Sequence, residues 1–417
     1  MITRRVAFDT LVLAVTFWGF AAQAQTNPPA FTVLYSFPGG SDGAVPKSGL
    51  VMSGSRVLYG TTWDGGKGGG TVYALTHTAS GVWNHTVLQR FSVGGADGKH
   101  PDAIALSNAV LYGTTHDGGT AGFGTVFSVN LESPGSGSII YNFAGATGDG
   151  ANPDNLVIAG NGVIFGTTYA GGTMGQGTVF SLAPPGAGSP PGAGGTWTET
   201  VIHNFLGGPA DGANPQGVTL GDDGVLYGTT QFGGNSSCFG YSYCGTVFSL
   251  APPSSPGGAW TETVLQNFDG LNGVLPPASV SIGKNGVLYG ISGYDTDADS
   301  TAFSLKPPVV PGGSWIFSIL NSVGIAPCNG LAIGKNGALY GGTLNGGDAN
   351  AGLIFSLTPP AEGGPWPETV LYSFSDAPAS YSLGPSGKFV IGPEGTIYGA
   401  TDSGGASNQG MVFSLVP

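Results

Sequence analysis

The sequence predicts an all-β fold: a seven-bladed β-propeller of four-stranded antiparallel blades, closed by the N-terminal strand completing the last blade. Three observations carry this reading. A stretch exemplified by Leu226-Tyr227-Gly228-Thr229-Thr230, a Gly-rich loop, then Gly245-Thr246-Val247-Phe248-Ser249-Leu250 recurs seven times. Its aromatic residue falls at Tyr59, Tyr112, Phe165, Tyr227, Tyr289, Tyr340 and Tyr398, at intervals of 53, 53, 62, 62, 51 and 58 residues. A period near fifty is that of propeller blades. Each repeat also holds four β-rich runs, and the phase of the two chain ends is that of a ring closed by its own termini.

Taken in order, residues 1–24 read as a secretory leader: Arg4 and Arg5, a mostly apolar stretch from Val6 to Phe20 interrupted by Asp9, then Ala22-Gln23-Ala24 as the small-residue cleavage pattern. Residues 25–30 are a short linker, and 31–417 are expected to form one propeller. Phe31 to Phe37 matches the fourth run of a repeat (compare Val370 to Phe374), while Gly410 to Leu415 matches the third. Val33–Phe37 is therefore expected to pair with Met411–Leu415, because otherwise both would be open sheet edges. Within a repeat, Gly217 to Leu220 is the first run, and Gly221-Asp222-Asp223-Gly224 turns it into Val225 to Thr230. Thr246 to Leu250 is the third run, and the Pro/Gly stretch Pro252 to Gly258 leads to the fourth, Trp260 to Phe268. Turns such as Gly160-Asn161-Gly162 and Lys284-Asn285-Gly286 suit antiparallel hairpins because Asn and Gly tolerate positive φ. One meander cannot bury both its faces, whereas seven arranged radially sandwich each sheet between two others.

Composition fits. Gly 78 and Pro 30 make about a quarter of the 417 residues, yet 40% are hydrophobic and 11% aromatic, too many for a disordered chain. Charged residues are 8%, with eleven Lys+Arg and a formal net charge of −13, which leaves no basic stripe for nucleic acid. No run beyond the leader is long and apolar enough to span a membrane. The reading is of a secreted or periplasmic protein, monomeric, with no anchoring tail after Val412–Pro417.

The combination Leu-Tyr-Gly-Thr-Thr, Gly-Gly, Gly-Thr-Val-Phe-Ser-Leu, then Thr-Glu-Thr-Val-Leu-Tyr-Ser-Phe resembles the GloVer (choice-of-anchor) tandem-repeat family of secreted bacterial proteins. The resemblance covers essentially everything after the leader. It is specific in repeats one to four and looser in five to seven, where Gly290-Ile291-Ser292 and Gly341-Gly342-Thr343 replace Gly-Thr-Thr. It implies export and a repeat fold, not a chemistry. A more distant likeness is to kelch propellers, with a Gly-Gly after the second strand and a Trp opening the fourth (Trp83, Trp197, Trp260, Trp315, Trp366).

In such a meander the fourth-to-first and second-to-third connections share one face, and candidate residues are sought there. Asp-Gly pairs recur at Asp42, Asp97, Asp149 and Asp211. They read first as turns, with Asp bonding its own backbone, and second as an acidic crown. The residue after the Thr-Thr pair varies: Trp63, His116, Tyr169, Gln231, with Tyr294 close by in the fifth repeat and Leu344 and Asp402 in the last two. Rings beside carboxylates (Trp63-Asp64, His116-Asp117) suit stacking on sugars, and packing of the rings on their own loops is the competing expectation. Asp295, Asp297 and Asp299 have the spacing of a calcium loop but lack its Gly and its twelfth-position Glu. Calcium is the one cofactor considered, and none is expected. His100 and His116 could meet near Asp97 and Asp117 for acid–base chemistry or metal binding, a weak signal without a third ligand. Cys238 and Cys244 flank one loop and fit a local disulfide, equally a hairpin staple without a functional role; Cys328 reads as a small buried residue.

The first functional expectation is a non-catalytic binding or scaffold module for carbohydrate or an envelope protein, with no catalytic residue assigned. The alternative is a carbohydrate-active enzyme of lyase or glycoside hydrolase type, with carboxylates near the central channel. Two carboxylates within about a nanometre in a cleft, one of them desolvated, would raise the alternative.

Overall fold

The computed structural model describes residues 28–417 except 147, 187–195, 236–243, 256, 294–299, 311, 324–325, 328–329, 362 and 376–383. It contains seven sheets of four antiparallel strands, and six of them are sequential meanders. Blade 4 is typical: strands Gly212–Leu220, Leu226–Gly233, Thr246–Ala251 and Thr261–Asn267, in that order. The only helical residues among those described are two single 3-10 turns.

The seventh sheet closes the ring as expected. Ala30–Ser36 pairs with Met411–Val416 in register Phe31↔Leu415, Val33↔Phe413 and Ser36↔Met411, and the Phe37 amide donates to the Gly410 carbonyl at 3.0 Å. First strands begin earlier than the sequence reading has them. In blade 4 the strand starts at Gly212, and a register shift between Pro215 and Val218 absorbs the proline. The Asp-Gly pairs at Asp97, Asp149 and Asp211 therefore stand at the threshold of a first strand. Asp149 accepts from the amides of Ala144 (2.7 Å) and Gly150 (2.6 Å), and Asp211 does the same with Leu206 and Gly212. At these two pairs the carboxylates bond the backbone, as the turn reading has it; Asp42 instead accepts from the Tyr35 hydroxyl at 3.2 Å.

Ring contacts of two kinds knit neighbouring blades. The Trp opening a fourth strand packs edge-on or tilted against the aromatic of the preceding blade's second strand: Trp83–Tyr398, Trp197–Tyr112, Trp260–Phe165, Trp315–Tyr227 and Trp366–Tyr289, with centroids 5.5–6.0 Å apart. The Phe closing a fourth strand meets the third-strand aromatic of the next blade: Phe37–Tyr73, Phe91–Phe127, Phe143–Phe180, Phe205–Phe248 and Phe268–Phe303. All of these pairs but the tilted Trp366–Tyr289 take the favoured edge-to-face geometry.

The repeated hydroxyls have a structural job. The second Thr of Thr-Thr shares a hydrogen bond with the Thr of Gly-Thr-Val-Phe across the sheet, 2.8 Å in each of Thr62–Thr71, Thr115–Thr125, Thr168–Thr178 and Thr230–Thr246. These side chains are fully or almost fully buried, so each needs its partner. The Gly between the aromatic and Thr-Thr is equally constrained. At Gly228 a Cβ would lie 2.5 Å from Phe248 Cζ and 2.6 Å from the Gly217 carbonyl oxygen. Gly228→Ala is expected to cost about 1–3 kcal/mol through overpacking, read as a lowered denaturation midpoint with an unchanged m-value. A midpoint equal to that of the parent would show that the blade has slack there.

Candidate functional site at the channel mouth

The start of each first strand lies at the axis of the ring, and its backbone is unusual. The residue before the first-strand proline takes positive φ in Val45, His100, Asn152, Asn214, Leu275 and Ala326, between 42° and 58°. Four of these amides donate to the preceding blade: Val45 to Gln409, Asn152 to Phe123, Asn214 to Gln176 and Leu275 to Cys244, at 2.8–2.9 Å. The next glycine of the preceding blade makes room for the proline. A Cβ at Gly177 would stand 2.5 Å from Pro215 Cδ, at a φ of +93°. The inter-blade staple thus repays a backbone conformation that non-glycine residues seldom adopt, and it fixes the residue after each proline at the channel mouth.

Those residues carry the chemistry: Lys47, Asp102, Asp154 and Gln216 in blades 1 to 4. Asp102 and Asp154 come from adjacent blades and feel each other's charge. Burial raises both carboxyls above the ordinary range, Asp102 the more strongly because the charge of Asp154 adds to it. The Lys47 ammonium opposes the rise at both, and His116 also opposes it at Asp154. Asp402, from blade 7, is likewise raised by burial and eased by a hydrogen bond from Ser403, by Lys47 and by backbone contacts. One cation therefore serves three carboxyls from three other blades. Coupled groups of this kind titrate as a set.

Around this centre lie the residues expected from the sequence. His100 Nδ1 is 2.7 Å from Asp117 Oδ2, and His116 Nδ1 is 3.2 Å from Asp117 Oδ1. Burial alone would raise Asp117, but the hydrogen bonds from His100 and His116 and their charges together hold it below the ordinary range. The Trp63 ring stacks on His100 (4.7 Å, 2° between planes) and lies 5.4 Å from His116, and Lys47 Nζ sits 4.2 Å from its centroid. Asp64 is exposed, 3.9 Å from His100 Nε2. Asn152 donates to the His116 carbonyl at 3.0 Å. In the next two blades the Tyr169 hydroxyl donates to Gln231 Oε1 at 3.2 Å, and Tyr169 stays 36% exposed.

Trp63, Asp64, His116 and Asp117 thus form one cluster, with Tyr169 and Gln231 as a second pair on the same rim. The Trp63 ring meets two histidines of the next blade and the Lys47 ammonium. Asp97, expected near the histidines, is instead part of the blade 1–2 interface, lining a hole of about 30 Å³ with Gln89 and Gly137. Tyr294, Asp295, Asp297, Asp299, Cys238 and Cys328 lie outside the described residues; Cys244 is disulfide-bonded and buried. Among the described residues no group of three His, Cys, Asp or Glu side chains is arranged to hold a metal ion. Sequence reasoning missed Lys47, Asp102 and Asp154. Their signal was the shared offset after the proline in Val45-Pro46-Lys47, His100-Pro101-Asp102, Asn152-Pro153-Asp154 and Asn214-Pro215-Gln216.

The Gloeobacter/Verrucomicrobia repeat model matches residues 16–180 and 107–314. The chain belongs to the Gloeobacter/Verrucomicrobia repeat family. No curated protein matches this repeat protein. Among solved structures it is similar to a gluconolactonase from Xanthomonas campestris, with 14% identity, a TM-score of 0.42, and 76% of this chain and 92% of that one covered. It is also similar to a protein provisionally assigned as a gluconolactonase, with 14% identity, a TM-score of 0.43 and coverage of 93% and 91%. Likeness at this level concerns the fold alone. The expectation of a non-catalytic binding or scaffold module is corrected here. At the channel mouth Asp102 and Asp154, on adjacent blades, are both raised by burial, the desolvation that the catalytic alternative called for. Among the described residues no helix is long and apolar enough to cross a membrane.

A second set of carboxyls sits between blades at the outer rim. Burial, then the Asp149 charge, pushes Glu199 up to about 7; burial and Asp211 do the same to Glu262, against a smaller opposing effect of His203. A carboxyl raised on folding contributes stability that is fully present below its unfolded pKa of 4.5 and is lost as pH rises through about 7. The urea midpoint is therefore expected to fall as pH rises from about 4.5 to just above 7, and the slope to flatten in Glu199→Gln/Glu262→Gln. A pH-independent midpoint in the parent protein would count against this assignment.

Proposed function

We propose that this protein is an exported carbohydrate-active enzyme of lyase or hydrolase type, working by acid–base chemistry at the loop-rich mouth of the channel. The observation that carries the reading is the pair Asp102 and Asp154, two carboxyls from adjacent blades whose surroundings raise them unequally. Such a pair holds one proton at neutral pH, so one member donates while the other accepts. In this reading Asp102 serves as the acid and Asp154 as the base or nucleophile. Lys47 neutralises negative charge that develops beside them. Tyr169 and Gln231 offer an accessible ring face and an amide at the rim, the usual means of holding a sugar. The leader at residues 1–24 supports export to the compartment where polysaccharides are met.

The test is turnover of a panel of neutral and acidic oligosaccharides by the purified chain, scored by reducing ends and by ultraviolet absorbance of unsaturated products. Asp102→Asn and Asp154→Asn are each expected to reduce the activity found by about 10²–10⁴-fold. Full activity in both variants, or no turnover across the panel, would count against the proposal.

A further inference from the structure

The opposite mouth of the channel, where the first-to-second hairpins turn, holds a cavity that the carboxyl pair does not use. It has a volume of about 420 Å³ and is lined by residues of four blades, among them Thr219 and Asp222 of blade 4, Ser281 and Gly283 of blade 5, Ile333 of blade 6 and Lys388 of blade 7. That volume lies within the range of small-molecule pockets. Lys388 is the one cationic lining residue. At its level the corresponding residues of blades 1, 5 and 6 are Gly49, Ser279 and Gly330, all small, so a single long side chain crosses the space they leave. Its Cδ reaches to 4.0 Å from where a Cβ on Gly330 would stand.

We propose that this cavity is a binding site for a small polyhydroxylated carboxylate of sugar-acid size, with the carboxylate on Lys388 Nζ. Three observations select that class. First, among the described residues no carboxylate lies within ion-pair distance of Lys388. Asp222 is the other charged lining residue, and it is exposed on its turn. Second, Lys388 is exposed to water within the cavity and so open to a ligand, and the protein around it lowers its ammonium to about 8, so an anion that restores the charge is favoured. Third, the lining hydroxyls have committed their protons: Thr219 donates to the Val280 carbonyl and Ser281 to the Leu331 carbonyl. Thr219, the half-buried one, takes the Ser279 hydroxyl on one lone pair and still presents a second acceptor lone pair, which suits a ligand hydroxyl and not a second anionic group. A lone lysine facing acceptors is a poor cradle for phosphate, which needs several donors.

The experiment is calorimetric titration of the full chain with D-galacturonate, with D-galactose and inorganic phosphate as comparators. Galacturonate is expected to bind at least tenfold more tightly than either, and Lys388→Met to lose at least tenfold. Near pH 8 binding should take up a proton as the ammonium is restored, so the heat will vary with the ionisation enthalpy of the buffer. This readout needs no variant and decides the matter if Lys388→Met fails to fold. Asp102→Asn should leave the affinity unchanged, which separates this site from the one at the other mouth. Equal affinity for galactose or phosphate, undiminished binding in Lys388→Met, or no proton uptake would overturn the proposal.

Discussion

A chain that starts at Pro38, lacking the first strand, is expected to lose its cooperative unfolding transition and to expose the edge of the last blade. The strand brings Phe31, stacked on Tyr372 at 3.9 Å and in ring contact with Phe374 and Phe413. It brings Tyr35, stacked on His85 at 4.3 Å, and just beyond it stands Phe37, fully buried against Tyr73. Truncating a buried Phe alone costs roughly 3–5 kcal/mol. Loss of the buried Phe37 together with the half-buried Phe31 and Tyr35 therefore removes a large share of the stability of a typical domain, about 5–15 kcal/mol. Removing them also strips the Met411–Val416 strand of its hydrogen-bonding partner, leaving an open edge ready to pair with another chain. Size-exclusion chromatography should show association, and calorimetry a broad transition well below that of the parent. A synthetic peptide of residues 28–37 added in trans should restore much of the lost midpoint. A truncated chain that melts within a few degrees of the parent would mean that the ring holds without its latch.

This closure was legible in the sequence because it depends on phase: a fourth run at the beginning, a third at the end, and seven aromatics at a period near fifty. The Trp residues of the fourth strands were legible as packing groups for the same reason, since they repeat with the fold. The candidate site was legible only at its rim. Trp63, His116, Tyr169 and Gln231 vary at a fixed offset from a strong motif, and variation on a fixed frame draws attention. Lys47, Asp102 and Asp154 vary in the same way after Pro46, Pro101 and Pro153. Pro101 and Pro153, however, sit at a register shift inside a strand, a place that no turn signal in the sequence marks. Their significance also depends on the axis, where residues some fifty positions apart come within electrostatic reach. Nothing local distinguishes a carboxylate that will be desolvated at a channel mouth from Asp149 or Asp211, whose oxygens are consumed by backbone amides.

The largest effect on chemistry is expected from the carboxyl pair and the lysine that serves it. If Asp102 donates and Asp154 accepts, the rate on a substrate found in the oligosaccharide panel should follow a bell-shaped pH profile with its maximum in the neutral range. The ascending limb reports loss of the first proton from the pair and the descending limb loss of the second, as macroscopic values of the coupled set. Loss of a positioned acid or base typically costs 10²–10⁴-fold, so Asp102→Asn should reduce turnover by about that factor and remove the descending limb. Asp154→Asn should be as damaging, and it should also lower the Asp102 carboxyl, because the neighbouring charge that helps raise it is gone. Lys47→Met distinguishes a catalytic pair from a structural one. Lys47 opposes the rise at Asp102, Asp154 and Asp402, so its removal should shift both limbs to higher pH while leaving the profile bell-shaped. A merely structural role for the three residues predicts proportional losses at every pH with no movement of either limb, and that outcome would sink the acid–base assignment.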